Sequence, residues 1–246
     1  RRRVVPPRLK ALWCLSPRQA EALARKESCD CAWCGAKLRA QRLARVLLDL
    51  YPVGDPPTPA RSVADWTRRP EARALRVAEI NRIEGLHPVL AALPHFAASD
   101  YIPGATPGSV VDGVRHEDLT HLTYPDDAFD LVLTSETLEH VPDLDAALRE
   151  IRRVLATGGR HLCTVPLLPG IPRTFARTVV RPDGTLDHLA PPIRHPGGDV
   201  GYPVFTEFGA DWPEILRRAG FEVAVAFGPT TDDDLAQVTI SRKMGS

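Results

Sequence analysis

The stretch from Phe129 to Asp143 (Phe-Asp-Leu-Val-Leu-Thr-Ser-Glu-Thr-Leu-Glu-His-Val-Pro-Asp) does most to limit what this chain can fold into. Pro125-Asp126-Asp127, just ahead of it, is turn chemistry. Phe129 to Leu133 is a short apolar run, suited to a strand covered on both faces. Pro142 and Asp143 then open a helix whose apolar stripe is Leu144, Ala147, Leu148, Ile151, Val154 and Leu155. Gly158-Gly159 is expected to stop that helix through left-handed backbone, and Arg160 to Val165 reads as the next strand. Ser135, Glu136, Glu139 and His140 arrive just past the end of the first of these strands. In open α/β sheets that edge is where ligands bind.

The same alternation runs through the body from about Ala74 and implies a parallel sheet with helices on both faces. Leu75 to Ile80 reads as a strand, Leu86 to Leu93 as a short helix interrupted by Pro88, and Phe96 to Ile102 as a second strand with Asp100 near its end. Val110 to Val114 is a candidate third strand, and Phe129 to Leu133 the fourth. Residues 167–209 lack clear periodicity, and loops of that length are usually functional. They are expected to form a lid over an acceptor. Asp211 is expected to cap a helix that Gly220 ends, and Phe221–Phe227 with Leu235–Ser241 reads as an antiparallel pair at the sheet edge.

Residues 1–70 read as a separate appendage. The first 50 residues hold twelve Lys/Arg against four Asp/Glu, so a net charge of zero over 246 residues hides a basic start on an acidic body. Such a start either steers an anionic partner or pairs with the body itself. Ser16-Pro17-Arg18-Gln19 carries a capping box with proline at the first helical position. Cys31-Ala-Trp-Cys34-Gly35 has the shape of a zinc knuckle, in which a tight turn aims two thiolates at one ion. Cys29 and Cys14 are the other N-terminal thiols available as ligands; free reduced thiols and a redox pair are the alternatives. Lys37 to Leu50 reads as an amphipathic helix with Leu43, Val46, Leu47 and Leu50 on one face and Arg39, Arg42 and Arg45 on another. Five cysteines, an odd number, argue against a disulfide framework. No apolar run approaches the roughly 20 residues of a membrane helix, so no membrane insertion is expected and the expected compartment is the cytoplasm.

Phe129-Asp-Leu-Val-Leu, Glu136-Thr-Leu-Glu-His-Val-Pro-Asp143, Ala147-Leu-Arg-Glu-Ile-Arg-Arg-Val-Leu155 and Gly158-Gly-Arg together resemble the class I S-adenosylmethionine-dependent methyltransferases of the type 11 group. The knuckle followed by a basic helix is similar to a subset of that group with a cysteine-bearing extension, which suggests structural zinc. The resemblance implies a Rossmann-like, seven-stranded, mostly parallel sheet with the last strand antiparallel, spanning residues 71–246. It implies S-adenosylmethionine as cofactor, with Glu79, Asn81, Gly85, Asp100, Asp118, Leu119, Ser135 and Glu136 around it. The family's Gly-x-Gly-x-Gly loop departs here: Asn81 and Ile83 stand where the first two glycines belong. Asn81 tolerates left-handed backbone, whereas Ile83 needs a place for its side chain. His140 is the first candidate for general base, with His188 and His195 as alternatives.

The function that follows is O-methylation of a small molecule: a sugar, lipid-linked or secondary-metabolite acceptor. A degenerate, non-catalytic binding subunit is one alternative. An RNA or protein methyltransferase gripping its substrate with the basic appendage is another, although no aromatic cluster accompanies the arginine stripe. Asp and His residues of the 167–209 region are also candidates to hold a divalent ion, without a spacing that defines a cage.

Overall fold

The computed structural model describes residues 11, 13, 15–167, 170–195, 201–228 and 235–245. Its centre is an eight-stranded sheet. The parallel part contains β1 (Val77–Ile80), β2 (Phe96–Asp100), β4 (Val114–His116), β5 (Phe129–Ser135) and β6 (Leu155–Thr164). A two-residue strand, β3 (Val110–Val111), folds back antiparallel on β4 at one edge. At the other edge β14 (Val238–Lys243) lies antiparallel between β6 and β13 (Phe221–Ala226). Numbering the remaining short strands in chain order, the sheet runs β13-β14-β6-β5-β1-β2-β4-β3. The final strand is thus inserted into the sheet, and β13 and β3 are its edges. The expected third strand at 110–114 is a hairpin instead: Gly113, at φ +76°, turns the chain between β3 and β4.

Alternation along β5 explains its burial on both faces. Val132 joins Ala78, Ile80 and Cys163 in one core with α6 (Leu144–Val154) and α7 (Trp212–Arg218). Leu131 and Leu133 join Val77, Leu162 and Val238 in a second core. The cover of that second face comes from the N-terminal region. There α1 (Pro17–Ser28) precedes α2 (Leu38–Leu50), and Leu43 and Leu47 of α2 are fully buried among the sheet residues. Two short helices, α3 (Val63–Trp66) and α4 (Pro70–Arg73), and then α5 (His87–Leu90) complete the layer. Burying a leucine side chain contributes about 1.5–3 kcal/mol, so α2 is held to the sheet by its apolar stripe.

Local chemistry accounts for the helix boundaries. Ser16 and Gln19 close the expected capping box at the start of α1, and Asp143 caps α6 by accepting from Ala146 N–H. Two readings need correction. The Gly158-Gly159 pair does not stop α6, which ends at Val154 when Leu155 turns extended. The glycines lie inside β6, where its register against β5 shifts. Gly158 takes φ +80°, and a Cβ on Gly159 would meet Ala156 O at 2.8 Å and Asp130 O at 3.2 Å. Asp211 is the N-cap residue of α7, but its carboxylate does not cap the helix: it accepts from Thr174 N–H at 2.6 Å and so ties residues 167–209 to this helix.

Residues 167–209 are built from three small antiparallel pairs rather than one loop. These are β7 (Phe175–Ala176) with β12 (Thr206–Glu207), β8 (Thr178–Val180) with β9 (Leu186–His188), and β10 (Arg194–His195) with β11 (Tyr202–Pro203). Among the described residues no helix is long and apolar enough to cross a membrane.

Candidate active site

The connections from β1 and from β5 leave in opposite directions along the sheet, so these neighbouring strands form its switch point. A cleft of about 150 Å³ opens there, lined by Arg82, Ile83 and Glu84 after β1, by Ser135 at the end of β5, and by Lys37, Arg39 and Ala40 of the N-terminal layer. Asn81 takes φ +67°, the left-handed turn that its amide tolerates, and its N–H bonds Ser99 O. Ile83 turns inward and is buried in the second core, which is how the loop accommodates it. Gly85, at φ +82°, has its missing Cβ 2.5 Å from Ala36 Cβ, so the knuckle sits directly on the loop.

Both carboxylates of this edge are engaged. Glu79 is fully buried and accepts from Ile83 N–H at 3.1 Å, with His87 Nδ1 on its other oxygen. Burial pushes its carboxyl up from the ordinary value, against the opposing pull of His87 and the Ile83 N–H. Asp100 accepts from Arg82 N–H at 2.9 Å and lies 3.0 Å from Arg82 Nε. Ser135 Oγ shares a hydrogen bond with Thr164 Oγ1 at 2.8 Å.

Past Ser135 the backbone kinks. Glu136 takes φ +50°, a costly conformation for a residue with a Cβ, and is held by its N–H to Thr164 O. Its carboxylate is gripped by Lys26 from α1, with Nζ 3.0 Å and 2.9 Å from the two oxygens. Lys26 is only 1% exposed. Burial would raise the Glu136 carboxyl, but Lys26 and then Arg39 outweigh it and hold it below the ordinary range. The basic start of the chain therefore pairs with the acidic body here, and again at Lys37–Glu84. Two of the striped arginines are paired within the appendage, Arg39 with Glu27 and Arg45 with Asp49.

A second cluster lies one turn further on. Leu138–His140 is a 3₁₀ turn that buries Glu139 completely and presents His140. His140 Nε2 and His195 Nδ1 each stand 3.5 Å from Glu139 Oε1, and the two imidazoles meet edge to face. His140 Nδ1 is 2.7 Å from Pro203 O, so Nδ1–H donates to that carbonyl. Burial opposes charge on His195, yet Glu139 and Glu136 raise its affinity for a proton.

The match to known families lies in this part of the chain. Residues 95–163, from β2 through β6, match the methyltransferase domain family. That stretch is a methyltransferase domain segment. A methyltransferase GfsG of Streptomyces halstedii is 32% identical over 106 residues, 43% of this chain and 33% of that protein. The ubiquinone/menaquinone biosynthesis C-methyltransferase UbiE of Hydrogenovibrio crunogenus is 34% identical over 122 residues, 44% of this chain and 48% of that protein. The match thus spans half or less of these relatives. A solved S-adenosylmethionine-dependent methyltransferase from Mesorhizobium loti aligns with TM-score 0.42 at 20% identity, covering 69% of this chain and 91% of that one.

The fold gathers most of the expected positions. Glu79, Asn81, Gly85, Asp100, Ser135 and Glu136 come to one edge. Asp118 and Leu119 lie beyond β4, where Asp118 Oδ1 is taken up by Thr120 N–H and Oγ1–H and Leu119 is core. His188 is on β9, with Nδ1 3.0 Å from Thr178 Oγ1, and is not part of the Glu139, His140 and His195 group. The knuckle turn is formed by Cys31 N–H to Ala36 O and Gly35 N–H to Cys31 O. Its Cys31 thiol is held below the ordinary value by the backbone N–H groups of Trp33 and Cys34. Cys29 and Cys34 are exposed, and Cys14 lies outside the described residues. Sequence reasoning did not foresee Lys26, which looks like any helix lysine, or the convergence of His195 on Glu139.

Proposed function

We propose that the chain is an S-adenosylmethionine-dependent methyltransferase acting on a small-molecule acceptor. The cleft at the switch point, whose lining residue Arg82 pairs with Asp100, is the observation that carries this reading. At about 150 Å³ it is half the roughly 300 Å³ at the lower end of small-molecule sites. Arg82 is the side chain that must leave. Its pair with Asp100 is 42% and 28% exposed, and such pairs contribute only about 0–1 kcal/mol. Turning Arg82 outward frees a two-oxygen acceptor for the ribose hydroxyls and widens the cleft. Lys37 and Arg39 then face the carboxylate of the amino-acid end.

Bound S-adenosylmethionine supplies an electrophilic methyl group on a sulfonium. The protein's part is placement and exclusion of water. Residues 167–209 act as the acceptor lid. They reach the site through Phe205 N–H to Glu139 O and through Pro203 O to His140. A hydroxyl acceptor loses its proton at the Glu139, His140 and His195 cluster, which is the oxygen-methylation reading. Carbon methylation is the second reading, favoured by the similarity to the C-methyltransferase UbiE. Cys31 and Cys34 form half of a zinc knuckle, with Cys29 and Cys14 as the remaining thiols.

Calorimetry of the full chain with S-adenosylmethionine and S-adenosylhomocysteine tests the proposal. Micromolar binding that weakens at least about tenfold in Asp100→Ala is expected, the loss of a bidentate contact. Absence of binding at high micromolar concentration would favour a non-catalytic binding subunit.

A further inference from the structure

We propose that Glu139, His140 and His195 hold a divalent transition-metal cation. Three observations converge on this. Glu139 is fully buried, and neither of its oxygens has a hydrogen-bond partner among the described residues. Buried polar groups are almost always satisfied, so a carboxylate that faces only two imidazoles at 3.5 Å marks a place for a ligand. Second, one ligand atom from each of the three residues falls within 4.8 Å of the others, and both Glu139–histidine separations are 3.5 Å. Bonds of about 2.1 Å to a tetrahedral ion put neighbouring donor atoms about 3.4 Å apart. The spacing is too long for hydrogen bonds of the usual length and right for a shared cation. Third, His140 donates Nδ1–H to Pro203 O, which fixes the tautomer with a lone pair on Nε2, the atom facing Glu139. Metal-bound histidines are oriented in this way by a second hydrogen bond.

The fold builds the site from two elements. The 3₁₀ turn after β5 supplies Glu139 and His140. The β10–β11 hairpin supplies His195, and its partner strand supplies the Pro203 carbonyl. One hairpin therefore places one ligand and orients another. Two imidazole nitrogens and one carboxylate suit zinc, cobalt, manganese or iron(II) rather than magnesium or calcium, which prefer all-oxygen shells. The imidazoles are 17% and 26% exposed, so an ion has an approach from solvent. Three protein ligands leave open positions for an acceptor oxygen. A hydroxyl bound there becomes more acidic: its O–H bond breaks, the proton passes to water and the electron pair stays on the cation-bound oxygen. That role rests on the methyltransferase reading; the binding of the ion does not.

The test uses the full chain, freed of metal with a chelator and carrying Cys31→Ser and Cys34→Ser so that knuckle thiols do not compete. Cobalt(II) is titrated by calorimetry and by visible absorption. One equivalent should bind with ligand-field bands and without thiolate charge transfer. His195→Ala and Glu139→Gln should weaken binding about a hundredfold or more, while the exposed His121→Ala should not change it. His195 is partly exposed, so its variant keeps the test valid where Glu139→Gln fails to fold. No binding at millimolar cobalt, or undiminished binding in His195→Ala, overturns the site. Metal binding by a chain that binds no S-adenosylmethionine supports the site and overturns the role given to it.

Discussion

Replacing Lys26 with Met should unfasten the N-terminal layer from the site. Lys26 is almost fully buried and gives both of its short contacts to Glu136, whose side chain is 14% exposed. Breaking a buried pair from one side costs roughly 3–5 kcal/mol, because the remaining charge stays desolvated. Partial exposure and the nearby Arg39 put the expected loss at the lower end, about 3 kcal/mol. With a urea slope of about 3 kcal/mol/M, the unfolding midpoint should fall by about 1 M. Glu136→Gln alone should also destabilise, and Lys26→Met with Glu136→Gln should cost about 1–3 kcal/mol less than the sum of the singles. The pH dependence has a definite sign. The Glu136 carboxyl is lowered in the fold, so its contribution is full above the ordinary carboxylate range near about 4.3 and is lost as pH falls through the lowered value. Urea titrations of the four proteins from pH 7 to pH 3 read all of this. Additivity within about 0.5 kcal/mol would refute the pairing as the origin of the effect.

Other outcomes follow from the same geometry. His161 is fully buried, bonded through Nε2 to Thr134, and pushed down to about 3 by burial. Its neutral form stabilises the fold fully above the unfolded value of about 6.5, so about 2 kcal/mol should be lost by pH 5, and His161→Asn should flatten the urea midpoint between pH 7 and 4.5. Arg82→Ala should leave S-adenosylmethionine affinity unchanged or raise it up to about threefold, since the pair it breaks is weak; a tenfold loss by calorimetry would make Arg82 a ligand contact instead. Purified chain should carry one zinc by elemental analysis beyond any ion at the histidine cluster, and Cys31→Ser with Cys34→Ser should remove it; unchanged zinc would exclude the knuckle.

The parts legible in the sequence were those set by local chemistry. The capping box of α1, the stripe of α6 and the doubly covered β5 each announce themselves within a dozen residues. Gly158 and Gly159 misled because left-handed glycine serves a bulge as readily as a helix end. The lid strands, two or three residues each, are too short to show a period. Lys26 was hidden because nothing in an amphipathic helix says which lysine will meet a buried acid. Glu139 stood only as a carboxylate past a strand end, and its partners His140 and His195 lie 55 residues apart in the chain, brought together only by the fold.

The shared second core has a practical meaning for how this protein can be divided. A cut in the Pro/Gly-rich stretch between Tyr51 and Pro59 would look natural on paper. It would strip α2 from the sheet and bare Val77, Leu131, Leu133 and Leu162 together with Ile83 of the loop after β1. A contiguous apolar face of that kind aggregates. It would also remove Ala36 from its seat on Gly85, and Lys26 and Arg39 from Glu136. The extension is one wall of the cleft at the switch point, and any shortened form that leaves it out will report on a different molecule.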